Sequence, residues 1–490
     1  MLLMDPAETT TEGLSQDCRV PIRRVADSSD TAGWLSAIGD KPYPALLESS
    51  LYNPRQGSSS ILAWDPYKKV TLSGKQIEIN DFRANTTHFK KGDPFRILSK
   101  EFEKKRVNLS ADFPLPFAGG AIGYFSYDLR HHIESLPATC SYDLPVPEFA
   151  LCFYEKALVF DHKRDITFMV GGNTEEFQHI RELRNACLKR KYQQTEAHRS
   201  LGPHLKSNFS PEGYKNAVAK VIDYISAGDI FQANLSQRFE GTCCEDALKI
   251  YQRLRSINPA PFSAFLRYPS FEIVSSSPER FLLLDGDLVT TRPIKGTRPR
   301  REGDRAFNQK MKRELEISPK DHAELAMIVD LERNDLGRVC SYGSVRVKEH
   351  ARLETYPTVY HLVSTVEGRI HRPQFDEFDL LRAAFPGGSV TGAPKIRAME
   401  IIEELEPTAR NIYTGSIGYV SFHGRMDMNI LIRTMLLMHG KLYMQFGGGI
   451  VADSDPESEY RETIYKGNAL FKAAGAPNYE KIMSMAEPGD

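Results

Sequence analysis

Repeated hairpin signals constrain the fold of this chain more than any other sequence feature. Strand-like runs at 281–284 and 288–291 flank Asp285-Gly286, while His423-Gly424 and His439-Gly440 each separate two further runs of this kind. Tight turns join antiparallel neighbours, whereas parallel strands need long crossover connections. Because helix-like segments alternate irregularly with these hairpins, the sequence predicts an α+β protein with large, mainly antiparallel sheets rather than a doubly wound parallel fold.

The composition predicts a folded, cytoplasmic protein. The 490 residues are 41% hydrophobic and 26% charged, and 63 Lys and Arg against 64 Asp and Glu leave a net charge of −1. This balance gives no electrostatic reason to expect nucleic acid or an anionic membrane as a partner. The apolar run 430–438 contains Arg433 and is much shorter than the ~20 residues of a membrane-spanning helix. The start of the chain lacks the pattern of a secretion signal, and seven cysteines without a CxxC pair indicate a reducing compartment.

The chain is predicted to divide near residue 205. Residues 174–200 look helical and strongly charged, and Gly202-Pro203 interrupts that pattern. A new helix is predicted after Ser210, because serine caps helix N-termini and the next residue is proline. We therefore expect an N-terminal domain, a second domain and a short tail, at 1–205, 206–477 and 478–490.

Lys295 is predicted to lie at a strand end beside Gly296. Glycine leaves the backbone open to a ligand, and a partly desolvated lysine can act as a nucleophile or a base. An isolated lysine in a turn is, however, more often a surface residue. Glu279 enters the same hairpin from the other side. A two-residue loop would put Glu279 and Lys295 on opposite faces and a three-residue loop would put them on the same face, and the sequence leaves both registers open.

Two predicted helices carry carboxylates that could bind a divalent cation. Glu324 lies in a largely apolar helix, where a buried carboxylate needs a partner such as a hard cation. Asp321 could simply complete the capping box of the same helix. Glu459, Glu462 and Lys466 share one face of a later helix, which taken alone is more often a solvated face. Because Mg²⁺ prefers one or two protein carboxylates, with substrate oxygens completing its shell, the two helices together predict a magnesium site.

Glycine-rich segments mark further places where a ligand could bind. The segment 386–395, PGGSVTGAPK, precedes a helix and resembles an anion-binding loop, although Ala393 stands where a Walker loop requires lysine. Three glycines at 447–449 end a predicted strand just before the helix of Glu459. Arg433, in an otherwise apolar strand, is either a buried ion-pair partner or a clamp for a carboxylate. These features describe a small anionic ligand, a divalent cation and a lysine.

The order of these segments resembles that of the chorismate-utilising enzymes. Residues 209–475 resemble the chorismate-binding domain shared by anthranilate synthase component I, isochorismate synthases, salicylate synthases and aminodeoxychorismate synthase component I. The matching segments are SPER at 277–280, PIKGT at 293–297, IVDLERNDLGR at 328–338, HLVS at 361–364, AFPGGSVTGAPK at 384–395 and GGGIVADS at 447–454. The resemblance implies a sandwich of large antiparallel sheets with helices outside, and a chorismate-binding catalytic domain over 206–477.

Lys295 separates two branches of the family. Anthranilate synthases carry alanine there, in a PIAGT-like segment, whereas aminodeoxychorismate synthases carry PIKGT. The chain resembles the second branch, whose enzymes aminate chorismate at C4 with ammonia to give 4-amino-4-deoxychorismate, on the route to 4-aminobenzoate and folate. Anthranilate synthase component I is the enzyme alternative. A non-catalytic, amino-acid-binding regulatory subunit is the alternative from another class, and the presence of Lys295, Glu279 and four carboxylates argues against it.

The resemblance also implies a role for each candidate residue. Lys295 would attack C2 of the chorismate ring to form a covalent adduct, Glu279 would act as general acid at the C4 hydroxyl, and His361 would have a supporting catalytic role. Glu324 and Glu462 would hold Mg²⁺, with Asp321 and Glu459 in support. The residues implied to bind the substrate are Gly296, Thr297, Ser389, Thr414, Arg433, Gly447, Gly448, Gly449 and Lys466.

Two expectations concern other ligands and partners. No segment resembles a glutaminase, so the resemblance implies a separate glutamine amidotransferase subunit as the source of ammonia. Segments 46–49 and 258–263 resemble the two halves of a tryptophan pocket, whereas the stretch 55–60 departs from the family pattern. The candidate residues of this effector pocket are Ser49, Pro261, Phe262 and Ser263.

Overall fold

The computed structural model of the protein describes residues 20–26, 30–53, 56–109, 113–189, 205–357 and 359–476. The predicted tail at 478–490 lies outside these residues. The thiols of Cys140, Cys152, Cys243, Cys244 and Cys340 are free. No helix in this part of the chain is long and apolar enough to cross a membrane.

Strands occur along the whole of the described chain. Those before residue 200 are β1 (Ile22–Ala26), β2 (Ala45–Glu48), β3 (Ser59–Ala63), β4 (Lys68–Ser73), β5 (Gln76–Asp81), β6 (Thr86–Lys90), β7 (Gly120–Phe125), β8 (Phe149–Tyr154), β9 (Ala157–Asp161) and β10 (Ile166–Val170). Those that follow are β11 (Lys206–Ser207), β12 (Gln232–Thr242), β13 (Phe262–Arg267), β14 (Glu272–Ser277), β15 (Arg280–Asp285), β16 (Leu288–Thr291), β17 (Ile294–Pro299), β18 (Arg346–Thr355), β19 (Val359–Arg369), β20 (Gly392–Ala393), β21 (Ser416–Ser421), β22 (Met426–Asn429), β23 (Thr434–Met438) and β24 (Lys441–Ile450).

Several helices begin at the caps that the sequence contains. The α-helices are α1 (Thr31–Ile38), α2 (Pro94–Glu103), α3 (Thr174–Lys189), α4 (Pro211–Ser226), α5 (Ala247–Ile257), α6 (Arg305–Glu316), α7 (Pro319–Gly337), α8 (Glu377–Ala384), α9 (Lys395–Leu405) and α10 (Pro456–Ala473), with short 3₁₀ helices at Tyr127–His132 and Gly388–Val390. Ser210 and Ser318 cap α4 and α7 by accepting backbone N–H groups at 3.0 and 3.3 Å, and proline follows each of them. A serine cap followed by proline therefore set both helix starts, as predicted.

The described strands form two sheets of twelve strands each. Sheet 1 has the order β1-β10-β9-β3-β2-β13-β14-β23-β24-β12-β11, with β20 beside β12. Sheet 2 has the order β17-β19-β16-β15-β22-β21-β7-β8-β4-β5-β6, with β18 beside β19. Neighbouring strands pair antiparallel, for example β12 with β24 and β15 with β16. The predicted α+β class with large antiparallel sheets is confirmed.

Both sheets contain strands from either side of residue 205. In sheet 1, β2 pairs with β13, so that Leu46 lies opposite Phe265. In sheet 2, β7 pairs with β21, so that Tyr124 lies opposite Ile417. The two predicted domains therefore share their sheets, and backbone hydrogen bonds join them across the proposed boundary.

Three apolar layers hold the sheets and helices together. The middle layer lies between the sheets and includes Ile61 and Ala264 from sheet 1 and Ile122 and Ile417 from sheet 2. The outer face of sheet 1 is covered by α1, α3, α4, α5, α9 and α10, and the outer face of sheet 2 by α2, α6, α7 and α8. The expected sandwich with helices outside is confirmed.

One predicted hairpin forms as the sequence indicates, and another is displaced by one residue. His439 and Gly440 join β23 to β24 with φ angles of 51° and 72°, as in a type I′ turn. In the β15–β16 hairpin, Asp285 pairs with Leu288, so the loop is Gly286-Asp287 rather than Asp285-Gly286. Asp285 is thus the last residue of a strand. Of the two registers considered from the sequence, the one with a two-residue loop differs from the observed pairing by two positions and the one with a three-residue loop by one.

We predict that Glu101 in α2 makes stability pH-dependent. This buried carboxylate contacts Lys68, Lys90 and Lys104 at 3.0, 3.0 and 2.7 Å. Burial alone would raise its pKa, but the three ammonium groups lower it from 4.5 to about 2. The ionised form therefore stabilises the fold above pH 4.5, and this contribution is lost as the pH falls towards 2.

Glu101→Gln should cost about 3 kcal/mol at pH 7, because it leaves Lys68 buried without a counter-ion. The difference from wild type should shrink below pH 4.5, and urea unfolding at pH 7 and pH 3 measures both values. Glu103→Gln is the matched control, since Glu103 lies on the same helix in an exposed pair with Arg106. Equal losses in the two variants would contradict this account.

Candidate active site

A cavity of about 380 Å³ lies where both sheets meet helices α7 and α10. Its wall is formed by β12, β17, β19 and β24, by the crossing from β14 to β15, and by the first turns of the two helices. Among the side chains that line it are Glu279, Lys295, Glu324, Arg433 and Lys466. Segments far apart in the sequence thus meet around one cavity.

A β-bulge directs Lys295 into this cavity. Lys295 pairs with Leu362 and Thr297 with His361, so Gly296 is the extra residue and has a φ of 74°. A Cβ on Gly296 would lie 2.7 Å from Leu315 Cδ1, and only glycine fits there without strain. Gly296 lines the cavity, but the space beside its Cα is filled by Leu315 and Asp321, so the close approach of a ligand that the sequence suggests stays a prediction.

The Lys295 ammonium is desolvated and has no ion-pair partner within 4.0 Å among the described residues. Desolvation lowers its pKa, and the nearby ammonium of Lys466 acts in the same direction. Glu324, Glu279 and Glu462 oppose this effect from a longer range. The result is a lysine with a larger neutral fraction than an exposed lysine has, which is what a nucleophilic amine requires.

Glu279 reaches the same cavity by a route that hairpin register does not describe. Strand β14 belongs to sheet 1 and β15 to sheet 2, so the chain crosses between the sheets at Pro278-Glu279. Burial raises the pKa of Glu279 to about 7, although a hydrogen bond with Ser389, the charge of Lys295 and the Ile294 N–H all lower it. At neutral pH this carboxyl can therefore either donate or accept a proton.

The predicted metal ligands surround one side of the cavity. Burial raises the pKa of Glu324 and of Glu459, whereas Lys466, whose Nζ is 2.6 Å from Glu462 Oε1, lowers the pKa of Glu462. Glu459 accepts a hydrogen bond from Ser454 at 2.7 Å. Asp321 forms an ion pair with Arg298 at 3.0 Å.

These carboxylates fit a cation that needs only part of its shell from the protein. In the described residues, no group of three or more His, Cys, Asp or Glu side chains is placed to hold a metal ion. The charge of Glu462 nevertheless raises the pKa of Glu324 and of Glu459, so these carboxylates lie within electrostatic range of one another. Carboxylates that line one open cavity are the donor set that Mg²⁺ uses together with substrate oxygens.

Arg433, Gly447 and Gly449 form another part of the wall, whereas Gly448, which was also predicted to bind the substrate, does not line the cavity. Arg433 has a φ of 53° and lies just before β23, which corrects the expectation that it sits inside an apolar strand. Its Nη1 donates to the Lys466 carbonyl at 2.9 Å, and Lys466 Nζ donates to the Gly447 carbonyl at 2.9 Å. A Cβ on Gly449 would lie 1.9 Å from Gln232 Nε2 and 3.3 Å from Lys295 Nζ, so these two side chains occupy the space that any residue larger than glycine would need.

His361 supports the wall near Lys295 as a neutral ring. Its Nδ1 is 2.9 Å from Thr297 Oγ1, and the Tyr356 ring meets it edge-on at 5.2 Å. Burial lowers the pKa of His361 to about 4. The imidazole is therefore uncharged at neutral pH and can act as a polar, hydrogen-bonding group.

The structure does not bring every predicted residue into the cavity. Thr414 is fully buried outside it, accepting a hydrogen bond from Arg410 at 3.2 Å and donating to the Tyr413 carbonyl at 2.8 Å. In the segment 386–395, Ser389 lines the cavity, but Lys395 is held by Asp335 at 2.6 Å. The Lys395 side chain is thus an internal contact, and anion binding by the backbone at the start of α9 stays a prediction.

Several lining residues were missed by the sequence analysis. They are Asn234, Lys320, Tyr413, Gln445 and Tyr465. Lys320 and Tyr465 are direct neighbours of the predicted Asp321 and Lys466, so a search of positions adjacent to the motifs would have found them. Asn234 pairs with Gly449 across sheet 1, and only the strand register reveals that.

A second cavity of about 210 Å³ contains the candidate effector residues. Ser49, Pro261, Phe262 and Ser263 all line it, and Ser49 Oγ donates to the Pro261 carbonyl at 3.1 Å. Arg280 also lines it and pairs with Asp427 at 2.9 Å. The two sequence segments therefore form one pocket, as expected.

The model of the chorismate binding enzyme family matches residues 45–472. The chain belongs to this family. The match crosses residue 205, in agreement with sheets that are shared between the two predicted domains.

Individual relatives support the same assignment. An aminodeoxychorismate synthase component 1 from Escherichia coli is 41% identical over 439 residues, covering 90% of this chain and 95% of that protein. An anthranilate synthase component 1 from Thermus thermophilus is 40% identical over 441 residues, covering 89% and 93%. The crystal structure of anthranilate synthase component I from Streptococcus pneumoniae is 32% identical, with a TM-score of 0.73 over 86% of this chain and 93% of that one.

We predict that Gly296 is required for the geometry around Lys295. Gly296→Ala should destabilise the fold by about 3 kcal/mol, because it adds a clash to the cost of a positive φ. Gly286→Ala is the control, since Gly286 also has a positive φ but faces open space, and it should cost only about 1 kcal/mol. Urea unfolding of both variants is the measurement. A loss at position 296 no larger than at 286 would show that the bulge tolerates a side chain.

Proposed function

We propose that the chain aminates chorismate at C4 with ammonia, giving 4-amino-4-deoxychorismate for 4-aminobenzoate and folate synthesis. The observation that carries this proposal is the desolvated Lys295 ammonium, which lines one cavity together with Glu279, Arg433 and the carboxylates of α7 and α10. The name of the Escherichia coli relative supports the same reaction. The chain would thus be the synthase component of an aminodeoxychorismate synthase.

The proposed chemistry proceeds through a covalent lysine adduct. The neutral Lys295 amine attacks C2 of the ring, the double bond shifts, and the C4 hydroxyl leaves as water with a proton from Glu279. Ammonia then attacks C4, the double bond shifts back, and Lys295 leaves C2 as the free amine. Glu279, now a carboxylate, accepts the proton that the new ammonium group releases, and the site returns to its starting state.

Cationic groups would hold the two carboxylates of chorismate. Arg433 lies in the cavity wall and is suited to a bidentate contact with one carboxylate. Lys466 and the backbone around 447–449 would position the other one. His361 and Thr297, hydrogen-bonded to each other, would fix the ring beside Lys295.

Glu324 and Glu462 would hold Mg²⁺, with Asp321 and Glu459 in support. When bound, the ion would neutralise the ring carboxylate and complete its shell with substrate oxygens. The charge of Glu462 raises the pKa of Glu324 and of Glu459, which means that the ionised carboxylates repel one another. A bound cation would remove this repulsion. Magnesium dependence is therefore part of the proposal.

A separate glutamine amidotransferase subunit would supply the ammonia. The relatives are named component 1, which implies a second component, and no segment of the sequence resembles a glutaminase. High ammonium should replace that partner in vitro.

Product analysis tests the proposal and separates it from the anthranilate alternative. The purified chain is incubated with chorismate, Mg²⁺ and ammonium, with and without an aminodeoxychorismate lyase. We expect 4-aminobenzoate only when the lyase is present. Free anthranilate without lyase would identify an anthranilate synthase, and no consumption of chorismate would support the regulatory alternative.

We predict that Lys295→Ala abolishes covalent trapping of chorismate when ammonia is absent. Intact-protein mass spectrometry should show an adduct in wild type and none in the variant. Lys320→Ala, which removes another lysine of the same cavity, should retain the adduct. Residual turnover of Lys295→Ala should move from C4 to C2 products, since losing the stem opens space for a small nucleophile beside C2. An adduct of unchanged yield would eliminate Lys295 as the nucleophile.

We predict that Glu324→Gln and Glu462→Gln each raise the Mg²⁺ concentration needed for half-maximal turnover, by roughly tenfold or more, and that the double variant adds little. The physical reason is that both carboxylates share one ion. Glu457→Gln is the control, because Glu457 lies on α10 but pairs with Arg461 at 2.6 Å in solvent. Normal Mg²⁺ dependence in either single variant would assign that carboxylate to a solvated face.

A further inference from the structure

Arg410 is a fully buried arginine that joins two segments of the cavity wall. It pairs with Glu406 through Nε and Nη2, at 3.0 and 2.8 Å. Its Nη1 donates to the Val390 carbonyl at 2.9 Å, and its Nη2 donates to the Asn234 carbonyl. Val390 and Asn234 line the cavity, whereas Arg410 itself does not.

Glu406 extends the same network to a third segment of the wall, strand β24. Its Oε1 accepts hydrogen bonds from the N–H and hydroxyl of Ser236, at 2.8 and 2.7 Å. The Ser236 hydroxyl in turn accepts from Gln445 Nε2 at 2.9 Å. Gln445 Oε1, at the cavity wall, is buried without a hydrogen-bond partner in the described part of the chain. The network therefore fixes the Gln445 side-chain amide through Nε2 and leaves its Oε1 as an unpaired acceptor for a ligand in the cavity.

The contact to Val390 bears on the acid of the reaction. Val390 follows Ser389, whose side chain hydrogen-bonds with Glu279. The other ionisable groups that act on Glu279 are Lys295 from β17 and Glu332 from α7. A shift of the 388–390 turn would move Ser389 away from Glu279 while leaving those two groups in place.

A second buried ion pair provides an internal comparison. Arg130 pairs with Glu403, one turn before Glu406, and all four side chains are at most 3% exposed. Both guanidinium groups stack on the Tyr127 ring, at 4.2 and 4.7 Å. Glu403, however, accepts from the N–H groups of Thr139 and Cys140, at 2.8 and 3.0 Å, and neither of these residues lines the cavity.

Buried ion pairs add little net stability compared with apolar residues of similar size, so stability alone does not explain two of them. We propose that the Arg410–Glu406 pair is a positioning device that holds Ser389, Asn234 and Gln445 in the geometry needed for chorismate, a role that the Arg130–Glu403 pair does not have. This inference rests on the proposed function. Lysine cannot replace Arg410, because only the planar guanidinium reaches all of its acceptors at once.

Four variants test the proposal in matched pairs: Arg410→Lys against Arg130→Lys, and Glu406→Gln against Glu403→Gln. Thermal unfolding of all four measures the shared structural cost. In Arg410→Lys and Glu406→Gln we expect kcat/KM for chorismate to fall by roughly tenfold to a hundredfold, as a ~1 Å misplacement does. Arg130→Lys and Glu403→Gln should keep kcat and KM within about twofold of wild type at a similar loss of stability.

The pKa of Glu279 provides a readout that does not depend on turnover. Losing the Ser389 hydrogen bond should raise this pKa above its value of about 7 in Arg410→Lys and leave it unchanged in Arg130→Lys. The carboxyl ¹³C resonance of Glu279, assigned by its loss in Glu279→Gln, reports it directly. In the pH profile, the limb where activity falls as Glu279 deprotonates should move to higher pH.

The outcomes separate this inference from the function on which it rests. Equal effects in both pairs, or an unchanged Glu279 pKa in Arg410→Lys, would overturn the positioning role. A wild type that does not consume chorismate would overturn the proposed function, while the pKa comparison would still decide the positioning role. If Arg410→Lys does not fold, the Glu406→Gln and Glu403→Gln pair makes the same comparison.

Discussion

Apolar packing between the two sheets is the interaction on which the rest of the structure depends. Residues of both sheets, such as Ile61 and Ile122, fill one continuous layer, and neither sheet could keep that face in water without a large cost in free energy. Because strands from both parts of the chain pair within each sheet, the layer joins them into one body. The cavity exists only where the sheets are held in this relation, since the chain crosses between them at Glu279.

Burial then gives the cavity its chemical character. Desolvation lowers the pKa of Lys295 and raises that of Glu279 to about 7. In water these groups would be a fully charged ammonium and a carboxylate, and neither would serve as nucleophile or acid. The charge of Glu462 on α10 raises the pKa of Glu324 on α7 and of Glu459, and a bound cation would relieve this repulsion.

Much of the site could be predicted because its chemistry lies in short segments. Lys295 with Gly296, the two carboxylate helices and the glycines of 447–449 were found from residue type and local spacing. The helix caps at Ser210 and Ser318 and the turn at His439-Gly440 are local as well, since each depends on neighbours within four residues. The β15–β16 loop was displaced by one residue because Asp285 pairs as strand, and pairing partners are not encoded within the turn itself.

The sequence by itself determined the fold class, the family and the candidate residues for the chemistry, because tight turns, helix caps and reactive side chains are properties of short stretches. Only the tertiary structure decided that Glu279 and Lys295 face one cavity, that Thr414 lies outside it, and that Lys395 is an internal contact. It alone revealed Arg410, whose partners at 234, 390 and 406 meet through strand register and sheet packing. These relations depend on contacts between distant segments, and such contacts form only when both sheets bury their shared face.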